Sequence, residues 1–358
     1  MIVFIYGTTA EAIKLAPVAR RLKQRGIPFE QWLTMQHTDA LLEILPQLGL
    51  PAPDRLIANG HKGQPLRGSR DVLGWLLQAS RWLRGNRAEL RRTLPANTVI
   101  VVHGDTITSV IGAYFAKRLK VACAHIEAGL RSGNWRHPFP EEIDRRLVGR
   151  LATVHYTPSE EATENLAGKD NVVFTHGNTI VDAVLDHDET EKAEGEKYGV
   201  VLLHRYEFIS NQPLVDETIG TLNSSSPYPL KMLVDAYNSH TLGEATGEAE
   251  SAGRIVIESK RPHDEFITLL KSAEFIVTDS GGVQAEAALL GVPTLVHRMA
   301  TEQQEGVGEN ILLSKWNQKV LSDFLTSHAD YRVVSRKPHT SPSDIIVDDL
   351  IARGYATS

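Results

Sequence analysis

Acids, histidines and glycines recur in this sequence at the ends of short apolar runs, where a strand would hand over to a helix. In "FIVTDSGGVQAEAALLGVPTLVHR" (275–298) an apolar run meets Asp279, Ser280, Gly281 and Gly282, and a helix-like run then carries Gln284 and Glu286. Two glycines at a helix start leave backbone amides open to a diphosphate, and Ser280 adds a hydroxyl donor. Glu286, on the first turns of that helix, is placed to accept both hydroxyls of a ribose. Asp279 has the least to do in this reading, and capping the turn is enough to account for it.

Other junctions carry chemistry of a different kind. "HGDT" (103–106) delivers His103 and Asp105, although Asp105 equally suits a helix cap. "HIEAGLRSG" puts Glu127 at the end of an apolar strand, with Arg131 close behind. Burial there is expected to raise its pKa and suit it to proton transfer. "HPFPEEIDRRL" sets Pro138 and Pro140 before Glu141 and Glu142, acids that also complement a helix dipole. Arg145 follows Glu141 by four residues, so one helical face can present both. "VVLLHRYEF" ends a buried strand on His204, Arg205 and Glu207. At the first junction, Gly7-Thr8-Thr9 opens a helix carrying Glu11 and Lys14, and its free amides would favour an anion if they are not used in an ordinary cap.

No HExxH, Walker, G-x-G-x-x-G or G-x-S-x-G pattern occurs, so a metal, a cofactor or a nucleophile elbow is not expected. The single cysteine, Cys123, sits among small apolar residues and reads as a buried structural thiol. A net charge of −6 and a pI near 6.2 argue against nucleic acid or an anionic membrane as partner. No stretch approaches the ~20 apolar residues needed to span a bilayer, and the N-terminus reads as a strand rather than a leader. A cytoplasmic location is the expectation.

These residues need strand ends to hold them. At 358 residues, two domains are expected. β-branched runs alternate with helical patterns: "IVFIY" (2–6), "QWLTM" (31–35), "TVIVVHGD" (98–105), "KVACAHIEAG" (120–129) and "VHYTPS" in the first half. In the second half, "VVFTHG" (172–177), "GVVLLHR", "LKMLVDAY", "GRIVIES", "EFIVTDSGG" and "VPTLVHR" supply six candidate strands, while 184–198 and 238–252 read as loops or solvated helices. The expected fold is α/β, with two doubly wound Rossmann-like domains facing a central cleft: residues 1–177, 178–340, and a tail 341–358 that packs back on the first.

Together the junctions resemble the UDP-N-acetylglucosamine 2-epimerase family, which has the two-domain glycosyltransferase-B-like fold. "GTTAEAIKLAPV", "MQH", "HGDT", "HIEAGLRSG", "PFPEEIDRRL", "GNTIVDAV", "LLHRYE", "TDSGGVQAEAALLGVP" and "TEQQEG" follow in the family's order. The resemblance implies elimination of UDP from the sugar to leave a 2-acetamidoglucal, then re-addition with inversion at the acetamido-bearing carbon. It places the catalytic carboxylates on Asp105, Glu127 and Glu141, with His204 assisting departure. Lys14, Arg131, Arg145, Arg205, Ser280, Gly281, Gly282, Glu286 and Glu302 become substrate contacts. It also implies a UDP-sugar partner, no cofactor and a homodimer. Thr9 and Ala10 stand where the family has arginine and proline, Gln303 and Gln304 replace another such pair, and Met35 replaces a glycine. The departures leave the sugar and the outcome open between epimerisation, hydrolysis of the glycal, glycosyl transfer and binding without turnover.

Overall fold

The computed structural model describes the chain except residues 37, 61–65, 67, 132–139, 187–195, 235–253, 260, 302, 304, 336–339 and 357–358. His37, Pro138, Glu302, Gln304 and the stretch 238–252 therefore lie outside the described residues. Two units are present: Met1–Ala183 with His339–Ser358, and Val184–Pro338.

The first unit is built on β1 (Ile2–Tyr6), β2 (Phe29–Leu33), β3 (Arg55–Leu56), β4 (Val99–His103), β5 (Ala122–Ile126), β6 (Val154–Thr157) and β7 (Val172–Phe174), in the order β3-β2-β1-β4-β5-β6-β7. Every pairing among these strands is parallel. Parallel strands covered on both faces read as unbroken apolar runs, as β1 and β4 do. On β1, Ile2, Phe4 and Tyr6 pack with Leu15 of the helix Thr9–Gln24 and Ile346 of the helix Pro342–Ala352. Val3 and Ile5 point the other way, into a core with Trp75 and Phe115. This alternation makes the unit doubly wound. The C-terminal helix is tied in by Tyr156 Oη donating to Asp349 Oδ2 (2.9 Å) and Ser343 N donating to Asp182 Oδ2 (2.8 Å).

The second unit holds β8 (Gly199–Leu202), β9 (Leu230–Val234), β10 (Ile255–Ser259), β11 (Phe275–Thr278), β12 (Thr294–Val296) and β13 (Ile311–Leu313), ordered β10-β9-β8-β11-β12-β13 and again parallel. One assignment changes. "VVFTHG" is the edge strand β7 of the first sheet, paired with β6, and the sixth strand of the second sheet is β13. β3 and β13 span too few residues to show a period in sequence. β2 also starts two residues before the "QWLTM" run. Cys123 is fully buried, and burial pushes its thiol up to about 12, in keeping with a structural role. Among the described residues no helix is long and apolar enough to cross a membrane.

Candidate functional site

Ligands of doubly wound sheets bind outside the carboxyl ends of the strands, where the winding direction reverses. In the first unit that point lies between β1 and β4, and in the second between β8 and β11. Gly7 follows β1, His103 ends β4 and Asp105 lies two residues beyond it. His204, Asp279 and Ser280 follow the second pair. The fold thus delivers these residues to the two places where a ligand is expected.

At the first junction the anion place is filled by the chain itself. Glu11 Oε2 accepts the N–H groups of Gly7 and Thr8, each at 2.9 Å, and the Thr8 hydroxyl at 2.9 Å. Its Oε1 accepts the Thr106 hydroxyl at 2.7 Å. Packing also requires the glycine, because a Cβ at Gly7 would fall 2.1 Å from Thr34 Oγ1. The expected free amides are therefore a capping box, and Lys14 is the group of this helix that turns to chemistry.

Lys14 Nζ donates to Glu127 Oε2 at 2.7 Å, and His103 Nε2 lies 3.0 Å from the same oxygen. Glu127 is 8% exposed and holds φ +64°, a left-handed conformation that costs a non-glycine residue roughly 1–2 kcal/mol. Burial does push its carboxyl up, but Lys14 and then His103 outweigh it, holding the group well below the usual carboxylate range. The expectation of a raised pKa is thus corrected: Glu127 is ionised because its pairing is closer than its desolvation is costly.

A second group of acids gathers on Arg145, which is buried. Its Nη2 binds Asp105 Oδ2, and its Nη1 donates to Glu142 Oε2 at 3.2 Å. Arg146 Nε donates to Glu142 Oε1 at 2.9 Å. Against the burial that would lower it, the charges of Asp105 and then Glu127 hold the Arg145 guanidinium above its ordinary value. Arg131 Nη1 donates to Leu130 O at 2.7 Å; burial lowers that guanidinium, and the charges of Glu142, Arg146 and Arg145 also act on it. Glu141 and Asp144 occupy one helical face, and each has a buried oxygen (Glu141 Oε2, Asp144 Oδ2) without a hydrogen-bond partner among the described residues.

Asp144 is a residue that sequence reasoning missed, although its spacing from Glu141 was a usable signal. Burial first, then the charges of Asp105 and Glu141, push its carboxyl up to about 7. A carboxyl raised in the folded state penalises folding progressively as pH climbs from its unfolded value to 7, and fully above that. Asp144→Asn should therefore stabilise the protein at pH 8 by up to about 4 kcal/mol, and very little at pH 4. Urea midpoints at the two pH values check this, and an equal change at both would contradict it.

In the second unit, Ser280 caps the helix Gly281–Leu290, its Oγ accepting from Val283 N at 3.4 Å. Among the described residues a Cβ at Gly282 would meet only Ser280 Oγ, at 3.8 Å, so none of them demands a glycine there. Glu286 is buried, His263 Nε2 lies 3.3 Å from its Oε1, and its Oε2 has no partner among the described residues. Gln284 has a structural role instead. It accepts the Thr301 hydroxyl at 2.6 Å and donates to Gln303 O at 3.1 Å, tying the helix to the loop beyond β12. Asp279 does not cap the turn. Its carboxylate accepts the backbone N–H of His204 (2.9 and 3.1 Å to its two oxygens) and of Arg205 (2.9 Å), which fixes the backbone at the end of β8. Met35, at the position where the family has glycine, holds φ +51° and so keeps a backbone conformation that glycine adopts freely. Among the described residues no group of three or more His, Cys, Asp or Glu is placed to hold a metal ion.

The chain is also similar to known proteins over most of its length. The sequence profile of the UDP-N-acetylglucosamine 2-epimerase family matches residues 32–340. The UDP-N-acetylglucosamine 2-epimerase of Campylobacter jejuni is 31% identical over 350 residues, covering 87% of this chain and 84% of its own. That of Methanocaldococcus jannaschii is 32% identical over 343 residues, covering 88% and 89%. The crystal structure of the Neisseria meningitidis UDP-GlcNAc 2-epimerase bound to UDP-GlcNAc superposes with a TM-score of 0.81 at 25% identity, over 98% of this chain and 99% of that one. With its two parallel-sheet units and the acids at their strand ends, the chain belongs to the UDP-N-acetylglucosamine 2-epimerase family.

Proposed function

We propose that the protein interconverts UDP-N-acetylglucosamine and UDP-N-acetylmannosamine by eliminating and re-adding UDP. The observation that carries this reading is the ionic cluster of the first unit, in which Lys14 and His103 meet the Glu127 carboxylate and Arg145 binds Asp105 and Glu142. Removing the weakly acidic proton at C2 sends its electron pair into the C1–C2 bond, and the C1–O bond breaks with its pair leaving on UDP. Re-addition of that oxygen at C1, with a proton delivered to the opposite face of C2, inverts the centre. Inversion through a planar glycal calls for proton-transfer groups on both faces. Glu127, ionised, suits the removal of a proton. Glu141, with a buried oxygen that has no hydrogen-bond partner among the described residues, suits its return.

Ser280, Gly281 and Gly282 would hold the diphosphate at the helix start, Glu286 the ribose, and Arg205 the remaining charge. Gly282→Ala tests the grip. Because the added methyl meets open space within the protein, stability should be unchanged, while KM for the UDP-sugar rises about tenfold or more with kcat nearly constant. Steady-state kinetics beside a thermal melt check this, and an unchanged KM would remove Gly282 from the grip. The reading includes a homodimer in the cytoplasm, the first part of which sedimentation measures directly.

Incubation with UDP-N-acetylglucosamine followed by 1H and 31P NMR tests the function. The expected product is the manno nucleotide sugar. Stoichiometric release of UDP with free N-acetylmannosamine would replace this reading with glycal hydrolysis.

A further inference from the structure

His204 and Asp279 stand at the ends of β8 and β11, the adjacent strands between which the winding of the second sheet reverses. Asp279 is 1% exposed. Its two oxygens take the N–H groups of His204 and Arg205, as described, and its own N–H donates to Leu202 O at 3.2 Å. The His204 ring turns Nδ1 toward the same carboxylate, 3.3 Å from Oδ1, while its side chain stays 37% exposed. A loop anchor alone would need only the backbone bonds. A carboxylate that also faces Nδ1 decides which ring nitrogen carries the proton when the ring is neutral, and it steadies the ring when it is charged.

We propose that Asp279 is the positioning residue of His204: it holds the imidazole as the Nδ1–H tautomer and so makes Nε2 the nitrogen that exchanges a proton with the departing and returning diphosphate oxygen. In elimination, the imidazolium gives its Nε2 proton to the oxygen as the C1–O bond breaks, leaving the neutral Nδ1–H ring. On re-addition the oxygen returns that proton to Nε2, so nothing is consumed. Burial holds the Asp279 carboxyl above its ordinary range, against the opposing pull of the His204 ring, the N–H groups of Arg205 and His204, and the Arg205 charge. Glu207, the other acid on this loop, is engaged by Arg298 Nε at 3.6 Å.

What the proton is exchanged with rests on the epimerase reading; the tautomer and the titration do not. The test is a long-range 1H–15N NMR titration of the ligand-free full-length protein, with His204 assigned through His204→Gln. The expected result is an Nδ1–H neutral tautomer and a His204 pKa above the ordinary value of about 6.5, falling by about one unit or more in Asp279→Asn. An Nε2–H tautomer in the native protein, or a pKa that Asp279→Asn does not move, overturns the proposal. If Asp279→Asn does not fold, the native tautomer and pKa decide alone. In the active enzyme, Asp279→Asn should lower kcat roughly 10–100-fold, leave KM nearly constant and move the basic limb of the pH profile down. Loss of kcat with an unmoved basic limb would reduce Asp279 to a loop anchor and overturn the proposal. If UDP-N-acetylglucosamine is not turned over at all, the epimerase reading fails while the NMR titration still stands.

Discussion

Glu127→Gln is expected to lower kcat by about 10³-fold or more while leaving UDP affinity within a few-fold of native. The amide that replaces the carboxylate cannot take a proton from carbon. It also brings an N–H2 donor against Lys14 and His103, which now face an acceptor at 2.7 and 3.0 Å. The residues proposed to grip UDP belong to the second unit, so nucleotide binding measured by calorimetry should survive. A companion change separates charge from position. In native protein Lys14 holds Glu127 ionised against its burial, so the acid limb of the pH profile should lie well below the usual carboxylate range. Lys14→Met removes the first opposing charge and lets burial act, so the limb should move up toward neutral pH. A Glu127→Gln enzyme within about tenfold of native turnover would show that proton abstraction belongs elsewhere.

Arg145→Met should destabilise the protein by about 3–5 kcal/mol, because it strips a buried guanidinium from carboxylates that remain. Glu142 is fully buried and would keep Arg146, which is half exposed, while Asp105 would lose its partner among the described residues. The cost arises from the orphaned acids more than from the lost attraction. The double variant Arg145→Met with Glu142→Leu should therefore recover part of the loss, since an apolar pair of similar volume carries no desolvation penalty. Urea unfolding followed by circular dichroism measures both. A single-variant loss below about 1 kcal/mol, or no recovery in the double, would mean that the acids are already neutral or solvated.

Much of the scaffold was legible because buried parallel strands write themselves as apolar runs ending in glycine or a polar cluster. "IVFIY" is β1 to the residue, and "TVIVVHGD" and "EFIVTDSGG" contain β4 and β11 while running past their ends. What escaped were edge strands too short to carry a period, such as Arg55–Leu56, and the sheet to which "VVFTHG" belongs, since pairing partners are not encoded locally. The candidate acids were visible as residue types at strand ends, but their state was not. Glu127 was expected to be raised by burial, and a lysine 113 positions away in sequence reverses that. The amides at Gly7 and Thr8 were open on paper and are taken by Glu11, a residue already in view whose reach only geometry reveals. Asp279 looked like a turn cap because its neighbour Ser280 does that work invisibly, leaving the acid to bind the end of β8.

The central claim is that the C2 proton of a UDP-N-acetylamino sugar is removed and returned at this cluster. Incubation of the native enzyme with UDP-N-acetylglucosamine in deuterium oxide, read by 1H NMR, tests it most directly. Solvent deuterium is expected at C2 in both the gluco and the manno nucleotide sugars at equilibrium, and none with Glu127→Gln. Formation of the manno product with the C2 proton fully retained, or no exchange and no manno product at all, would contradict it.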